Sequence, residues 1–114
     1  MHSMKVQTKY YHLLKSGIKT VELRLMDEKR QQIKAGDSIT FSDLSNPQDT
    51  FMAEVIALHY APSFDKLCDI IQPRQAGFST KQELIDCLQE FYTPENQQKY
   101  GVVGIEVKRL TPAA

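Results

Sequence analysis

The sequence contains little of what marks a specialised architecture. It has no tryptophan, two cysteines and five glycines among 114 residues. Cys68 and Cys87 are 19 positions apart, which fits neither a CxxC pair nor a zinc-binding spacing. The three histidines are too scattered to complete a metal site. We therefore expect two reduced, largely buried thiols, with no disulfide and no metal.

Long apolar segments are also missing. No window approaches the roughly 18 consecutive apolar residues of a transmembrane helix, and MHSMKVQTKYY has no apolar region typical of a secretory signal. We expect a cytoplasmic protein without a membrane partner. The composition and length predict a single globular domain over residues 1–114, for which a monomer is feasible. Without a phosphate-binding glycine loop or dinucleotide fingerprint, no cofactor is expected.

Neither sign of charge is in excess, but the charges are unevenly distributed. The 14 basic and 14 acidic residues cancel overall. Residues 1–34 carry eight Lys or Arg against three acids, and residues 35–95 carry ten acids against three bases. The basic third suits an anionic ligand such as nucleic acid, although a solvated surface would also explain it. The acidic helices predicted between Phe64 and Phe91 leave a protein–protein adaptor as an alternative.

Hydrophobic periodicity predicts many short elements. Strands are predicted at 4–6, 19–25, 38–43, 50–60 and 100–110, and helices at 8–16, 26–33 (helix or turn), 63–71 and 80–92. The segment SNPQD (45–49) is a turn signal that favours an antiparallel hairpin, and residues 92–99 are predicted to be a connector. Mostly antiparallel strands with interspersed helices predict an α+β domain whose strands curl into a small barrel.

The stretch GIKTVELR, residues 17–24, contains the pattern G-x-K-x-x-E-x-R. Apolar residues alternate here with Thr20, Glu22 and Arg24, so one strand face packs on the core and the other carries polar groups. In a regular strand Lys19 faces away from Glu22. The two can act together only if the chain bends after Gly17, through a bulge or a late strand start.

Several segments, in the same order, resemble the ASCH domain, a branch of the PUA-like superfamily. They are GIKTVELR, the charged EKR at 28–30, AGDSITF at 35–41 and the closing YGVVGIEV. The resemblance spans nearly the whole chain. It implies a PUA-like curled β-barrel with flanking helices and an electropositive cleft suited to RNA. PUA-like domains as a group bind RNA or modified nucleobases, so RNA or a nucleotide is the implied partner.

The motif and the resemblance together indicate an RNA- or nucleotide-binding cleft. Lys19 can bind a phosphate or carbonyl oxygen, and Arg24 can donate two hydrogen bonds to a phosphate or a base edge. Glu22 can accept a hydrogen bond from a base amino group. A plain surface pair between Glu22 and Arg24 is the alternative. Tyr11, or else Tyr10, is a candidate for base stacking. The predicted nucleic-acid-binding residues are Lys9, Tyr11, Lys19, Thr20, Glu22, Arg24, Arg30 and Tyr100.

A small hydrolase acting on RNA or on a modified nucleobase in the same cleft is the alternative function. Glu22 would then take a proton from water while Lys19 stabilises the oxyanion, which makes both candidate catalytic residues. Some ASCH members resemble amidohydrolases that remove an acyl group from a modified cytidine, with K-x-x-T and a threonine nucleophile. Glu22 stands at that place here, and RQAGF (74–78) offers no downstream acid. The amidohydrolase activity is therefore not carried over.

Overall fold

The fold is built on one curled sheet with helices around it. The structure is a computed structural model that describes residues 2–110. The strands are β1 (His2–Val6), β2 (Val21–Leu25), β3 (Ser38–Asp43), β4 (Asn46–Ala61) and β5 (Val102–Arg109). The helices are α1 (Thr8–Ser16), α2 (Phe64–Leu67), α3 (Lys81–Gln89) and α4 (Pro94–Tyr100). Short 3-10 turns cover Arg30–Gln32 and Pro73–Ala76. No helix within residues 2–110 is long and apolar enough to cross a membrane.

The five strands form a mixed sheet in the order β1-β3-β4-β5-β2. β1 runs parallel to β3, and the other neighbours are antiparallel. The sheet curls into a half-barrel, which brings its two edge strands close enough for a side-chain contact. Arg24 on β2 donates through Nη2 to the carbonyl of Lys5 on β1, at 2.8 Å. The predicted α+β class, with mostly antiparallel strands and flanking helices, is confirmed.

Two apolar cores lie on opposite faces of this sheet. The barrel core fills the inside of the curl and takes Val103 and Ile105 from β5. The helical core lies between the sheet and helices α2 and α3, and takes Val102 from the same strand. β5 is therefore buried on both faces. Tyr10 of α1 packs against both cores, so this helix lies where they meet.

The hairpin turn between β3 and β4 is shorter and earlier than predicted. β4 begins at Asn46, which pairs with Asp43, so only two residues form the turn. The Asp43 carboxylate shapes this turn, because it accepts from the Ser45 amide at 3.0 Å and from the Thr8 hydroxyl at 2.6 Å. The polar residues at 46–49 therefore extend the strand, and placing the turn at 45–49 is wrong.

Several helical boundaries also differ from the prediction, including that of α3, which ends at Gln89 rather than at residue 92. The connector predicted at 92–99 is wrong, because α4 covers Pro94–Tyr100. Thr93 caps this helix by accepting from the Asn96 amide at 3.1 Å, and proline at the first helical position is well tolerated. The helix predicted at 63–71 forms only over Phe64–Leu67 and continues as turns.

Candidate functional site

A late strand start brings the two halves of the G-x-K-x-x-E-x-R motif together. Gly17 ends α1 in the left-handed region, with φ 85°. β2 begins only at Val21, so Lys19 and Thr20 precede the regular strand. Lys19 is thereby freed from strand alternation, and its Nζ lies 3.1 Å from Oε1 of Glu22. The irregularity that the motif needs is present.

Lys19, Glu22 and Arg24 form one ionic network. Arg24 donates to Oε2 of Glu22 through both Nε (3.0 Å) and Nη2 (2.9 Å). Lys19 donates to the other carboxylate oxygen and, at 2.9 Å, to the carbonyl of Ala76. The side chains of Lys19 and Glu22 are only 4% and 7% exposed. The Glu22–Arg24 pair exists, but it belongs to a buried network of two cations and one anion rather than to an ordinary surface.

The network keeps Glu22 ionised. Burial by itself would raise the pKa of this carboxyl, but the charges of Lys19 and Arg24 outweigh it and lower the pKa below the ordinary value. For Arg24, burial acts in the opposite sense to the charge of Glu22, which prevails and raises the pKa of the guanidinium. An efficient general base has a pKa near the working pH. Glu22 is instead a weak base, and it is better suited to accepting a hydrogen bond than to taking a proton from water.

The network lines a cleft of about 230 Å³, which we call the Lys19 cleft. This volume lies below the ~300–1,000 Å³ of pockets that enclose drug-sized ligands, and it suits a ligand the size of one nucleobase. The cleft opens between the edge strands β1 and β2 and is walled by α1 and the end of α3. Its lining residues are Lys5, Val6, Gln7, Tyr10, Lys19, Glu22, Leu23, Arg24, Leu44, Phe78, Cys87, Leu88, Phe91 and Tyr92.

Aromatic rings surround the ammonium of Lys19. Its Nζ lies 4.9 Å from the ring centroid of Tyr10 and 6.0 Å from that of Phe78, distances that allow cation–π attraction. The Tyr10 hydroxyl contacts Sγ of Cys87 at 3.4 Å. Burial, followed by this contact, raises the pKa of Tyr10 above its ordinary value, so the phenol is neutral. Tyr10 thus gives the cleft both an aromatic face and an uncharged polar group.

Tyr11 does not reach the cleft. Its ring is fully buried in the barrel core, and its hydroxyl donates to Asp49 at 2.8 Å. The prediction of an exposed stacking surface at Tyr11 is wrong, because adjacent helical residues point about 100° apart and this one points inward. Tyr10, the alternative, lines the cleft.

Lys9 and Thr20 lie beside the cleft rather than among its lining residues. Lys9 is exposed, and its Nζ is 5.7 Å from the Tyr10 ring centroid. Thr20 is fixed through its backbone, since its amide donates to the carbonyl of Gln75 and its carbonyl accepts from Val107, both at 2.8 Å. Lys9 thus brings charge next to a cleft wall, and Thr20 holds the strand start in place.

Arg30 and Tyr100 lie away from the cleft. Nη1 of Arg30 is 3.2 Å from a carboxylate oxygen of Asp27. The Tyr100 ring lies at the end of α4, with the Lys99 ammonium 5.0 Å from its centroid. Neither residue lines the Lys19 cleft. Of the predicted charged residues, the fold therefore brings together Lys19, Glu22 and Arg24.

Sequence reasoning missed several residues of the cleft walls. Phe91 lies within the helix predicted at 80–92, but it follows the end of α3 and its side chain is 52% exposed at the cleft rim. Leu44 lies in the β3–β4 turn and is similarly exposed. An apolar residue in a two-residue turn is a sequence signal for a surface contact site. The sequence does not show which other residues Leu44 faces. Within residues 2–110 no group of histidine, cysteine, aspartate and glutamate could hold a metal ion.

The sequence matches one family model over most of its length. The model of the ASCH domain matches residues 4–111. The chain belongs to the ASCH domain family. The resemblance read from the motif is confirmed, and the curled half-barrel with flanking helices is the PUA-like ASCH fold. ASCH domains have a PUA-related fold that is generally RNA-binding-like.

Several solved structures share this fold. The chain is 33% identical to the hypothetical protein PH0355, with a TM-score of 0.83 over 95% of this chain and 97% of that one. It is also 33% identical to PF0455 from Pyrococcus furiosus, with a TM-score of 0.75 and 96% of each chain covered. ASCH from Zymomonas mobilis shares the fold at 14% identity, with a TM-score of 0.65 over 93% of this chain and 65% of that one. No curated protein matches the sequence.

Proposed function

We propose that this ASCH domain binds RNA or a nucleotide, with one nucleobase held in the Lys19 cleft. The observation that carries the proposal is that two charged residues lining the cleft retain unused hydrogen-bonding positions. Oε1 of Glu22 accepts one bond, from Lys19, and has a second lone pair. Nη1 of Arg24 makes no hydrogen bond within residues 2–110 and has two protons to donate.

Because both residues line the Lys19 cleft, its free acceptor and free donor suit a base that presents both an amino group and a ring nitrogen. A carboxylate accepts well from the N4 amino group of cytosine, and a guanidinium donates to ring nitrogens and carbonyl oxygens. Cytosine and adenine carry this pair of groups, whereas uracil has no amino group. We therefore expect the cleft to prefer an amino-bearing base.

The surrounding residues have separate tasks in this proposal. Lys19 is occupied by Glu22, Ala76 and the Tyr10 ring, so it holds the carboxylate in place rather than contacting phosphate. The aromatic walls supply faces on which a base can stack. Lys5 lines the cleft and is exposed, so it can meet a phosphate oxygen.

The test is to titrate CMP and UMP into the wild type and into Glu22→Gln by calorimetry. The wild type should bind CMP more tightly, and Glu22→Gln should weaken CMP binding about tenfold while leaving UMP nearly unchanged, since one good base contact contributes ~1–3 kcal/mol. Asp49→Asn is the matched control, because Asp49 is likewise a carboxylate paired with a lysine but lies outside the cleft.

Two results would contradict the proposal. The first is equal binding of CMP and UMP by the wild type, and the second is absence of binding to both. A short single-stranded RNA incubated with the same samples should stay intact on a gel. Cleavage that depends on Glu22 would instead favour the hydrolase alternative.

A further inference from the structure

A second recess lies next to the Lys19 cleft. It has a volume of about 250 Å³, and we call it the Arg74 recess. Its lining residues are Leu13, Ile18, Arg74, Gly77, Phe78 and Ser79. We propose that the Arg74 recess holds the nucleotide adjacent to the one in the Lys19 cleft. The ligand is then single-stranded RNA of at least two nucleotides rather than a free mononucleotide, an inference that rests on the proposed function above.

The two spaces share a wall. Phe78 lines both of them and is itself only 5% exposed, so one buried ring separates the two spaces. The neighbouring residue is glycine, with φ +91°. A Cβ at Gly77 would lie 3.4 Å from Cδ of Lys19 and 3.6 Å from Cδ1 of Tyr10, both cleft residues. The wall at this point is therefore backbone packed directly against cleft side chains, and the recess lies immediately next to the cleft.

Arg74 gives the recess an uncommitted positive charge. It is exposed, and its guanidinium makes no hydrogen bond or ion pair within residues 2–110. By contrast, Arg24 donates to Glu22 and to a backbone carbonyl. Arg109 likewise donates to a backbone carbonyl, at 3.0 Å. A free guanidinium presents a planar fork of donors that matches phosphate oxygens, so Arg74 is suited to a backbone phosphate.

Ile18 gives the recess an apolar surface. Its side chain is 66% exposed, although it is large and apolar and lies directly after the glycine that ends α1. Leu13 lies in the same wall. An apolar patch beside a free cation matches the two parts of a nucleotide, with the sugar or base on the patch and the phosphate on the cation. The chemistry and the shared Phe78 wall thus point to the same occupant.

The experiment compares two probes, CMP and a fluorescein-labelled pentacytidine, across a range of salt concentrations. Arg74→Gln should weaken pentacytidine binding several-fold, because one phosphate contact is lost. It should also reduce the slope of log K against log salt by about 0.7, the value for one contact to a single strand. CMP binding should not change. Lys66→Gln, at an exposed position on α2 outside both spaces, is the control and should change neither probe.

Ile18→Ser separates the apolar part of the recess from its charge. It should weaken pentacytidine binding several-fold and leave the salt slope as in the wild type. Since Ile18 and Arg74 are exposed, both variants should keep the wild-type melting temperature.

Three results overturn the Arg74 recess while leaving the Lys19 cleft in place. They are equal weakening of CMP and pentacytidine in Arg74→Gln, no change of either probe, and a wild type that binds pentacytidine no more tightly than CMP. Wild-type protein that binds neither probe overturns both proposals together.

Discussion

The two sides of helix α1 carry the same three kinds of residue with different results. On one side Tyr10 lies next to the ion pair of Lys19 and Glu22, whose charged atoms are 3.1 Å apart. On the other side Tyr11 bonds to Asp49, which pairs with Lys15, also at 3.1 Å. The side chains of Lys15 and Asp49 are about one-third exposed, whereas those of Lys19 and Glu22 are almost fully buried.

The difference shows that burial and free space, not residue type, distinguish the candidate site. An exposed ion pair is well solvated in either protonation state, and it contributes little to stability. A buried pair must be fully compensated, so its geometry is fixed. Beside Glu22 that fixed geometry borders a cleft of about 230 Å³. Asp49 lines neither the Lys19 cleft nor the Arg74 recess.

The largest expected difference between the two sides is in stability. Glu22→Ala leaves two cations of the network without their anion, and removing one partner of a buried pair typically costs about 3–5 kcal/mol of unfolding free energy. Asp49→Ala should cause a smaller loss, about 1–3 kcal/mol, because Lys15 can turn to water and only the Tyr11 hydroxyl loses its acceptor. Urea unfolding of both variants at pH 7 measures this. Equal losses would mean that the Lys19–Glu22 network is no more constrained than a surface pair.

The response to acid should be the next largest difference. Because the folded-state pKa of Glu22 is lowered, its stabilising contribution is complete above the ordinary glutamate value, about 4.3, and is lost as the pH falls through the folded-state pKa. The pKa of Asp49 is also lowered, first by the Tyr11 hydrogen bond and then by Lys15, but this carboxylate is about one-third exposed. Melting temperatures from pH 7 to pH 3 should therefore decline less steeply for Glu22→Gln than for the wild type.

Asp49→Asn is the matched variant for the acid experiment. Asp49→Asn should change the slope of melting temperature against pH less than Glu22→Gln does, since solvent already screens the charge of Asp49. Two results would contradict this prediction: an equal reduction of the decline in melting temperature in both variants, and a decline that Glu22→Gln leaves unchanged. Either would mean that the Glu22 carboxyl does not titrate as the network requires.

The smallest expected difference concerns the backbone that supports Lys19. Gly77 and Gly17 both have positive φ, 91° and 85°, so alanine at either should cost about 1–2 kcal/mol. Only Gly77 is crowded, because its Cβ would lie 3.3 Å from Cδ1 of Leu13 and 3.4 Å from Cδ of Lys19. Gly77→Ala should therefore melt at a lower temperature than Gly17→Ala. Identical melting temperatures would show that the Lys19 side chain can move away from the added methyl group at no measurable cost in stability.

Local patterns were sufficient to predict much of the fold. The end of α1 before Gly17 and the alternation in β2 each depend on neighbours within four residues. The motif residues Lys19, Glu22 and Arg24 were also found from their spacing. The contact between Lys19 and Glu22 depends on a late strand start. The sequence shows that such an irregularity is needed but does not show that it occurs.

Features set by distant contacts could not be predicted in the same way. Tyr10 and Tyr11 are chemically identical neighbours, and only the packing of α1 against two cores decides which one reaches the cleft. The walls at Leu44 and Phe91 come from a turn and a helix end that are 47 residues apart in the chain. By contrast α4 was missed although its start, Thr93 and proline, is a local signal that was interpreted as a connector.

The hydrogen bond from Arg24 to the Lys5 carbonyl also bears on solubility. β1 and β2 are the two outer strands of the sheet, and the unpaired backbone groups of such strands can recruit strands from other molecules. Arg24 occupies one of these carbonyls and places a charge beside it. The residue that completes the ionic network thus also protects the outer strand β1 against intermolecular strand pairing and aggregation.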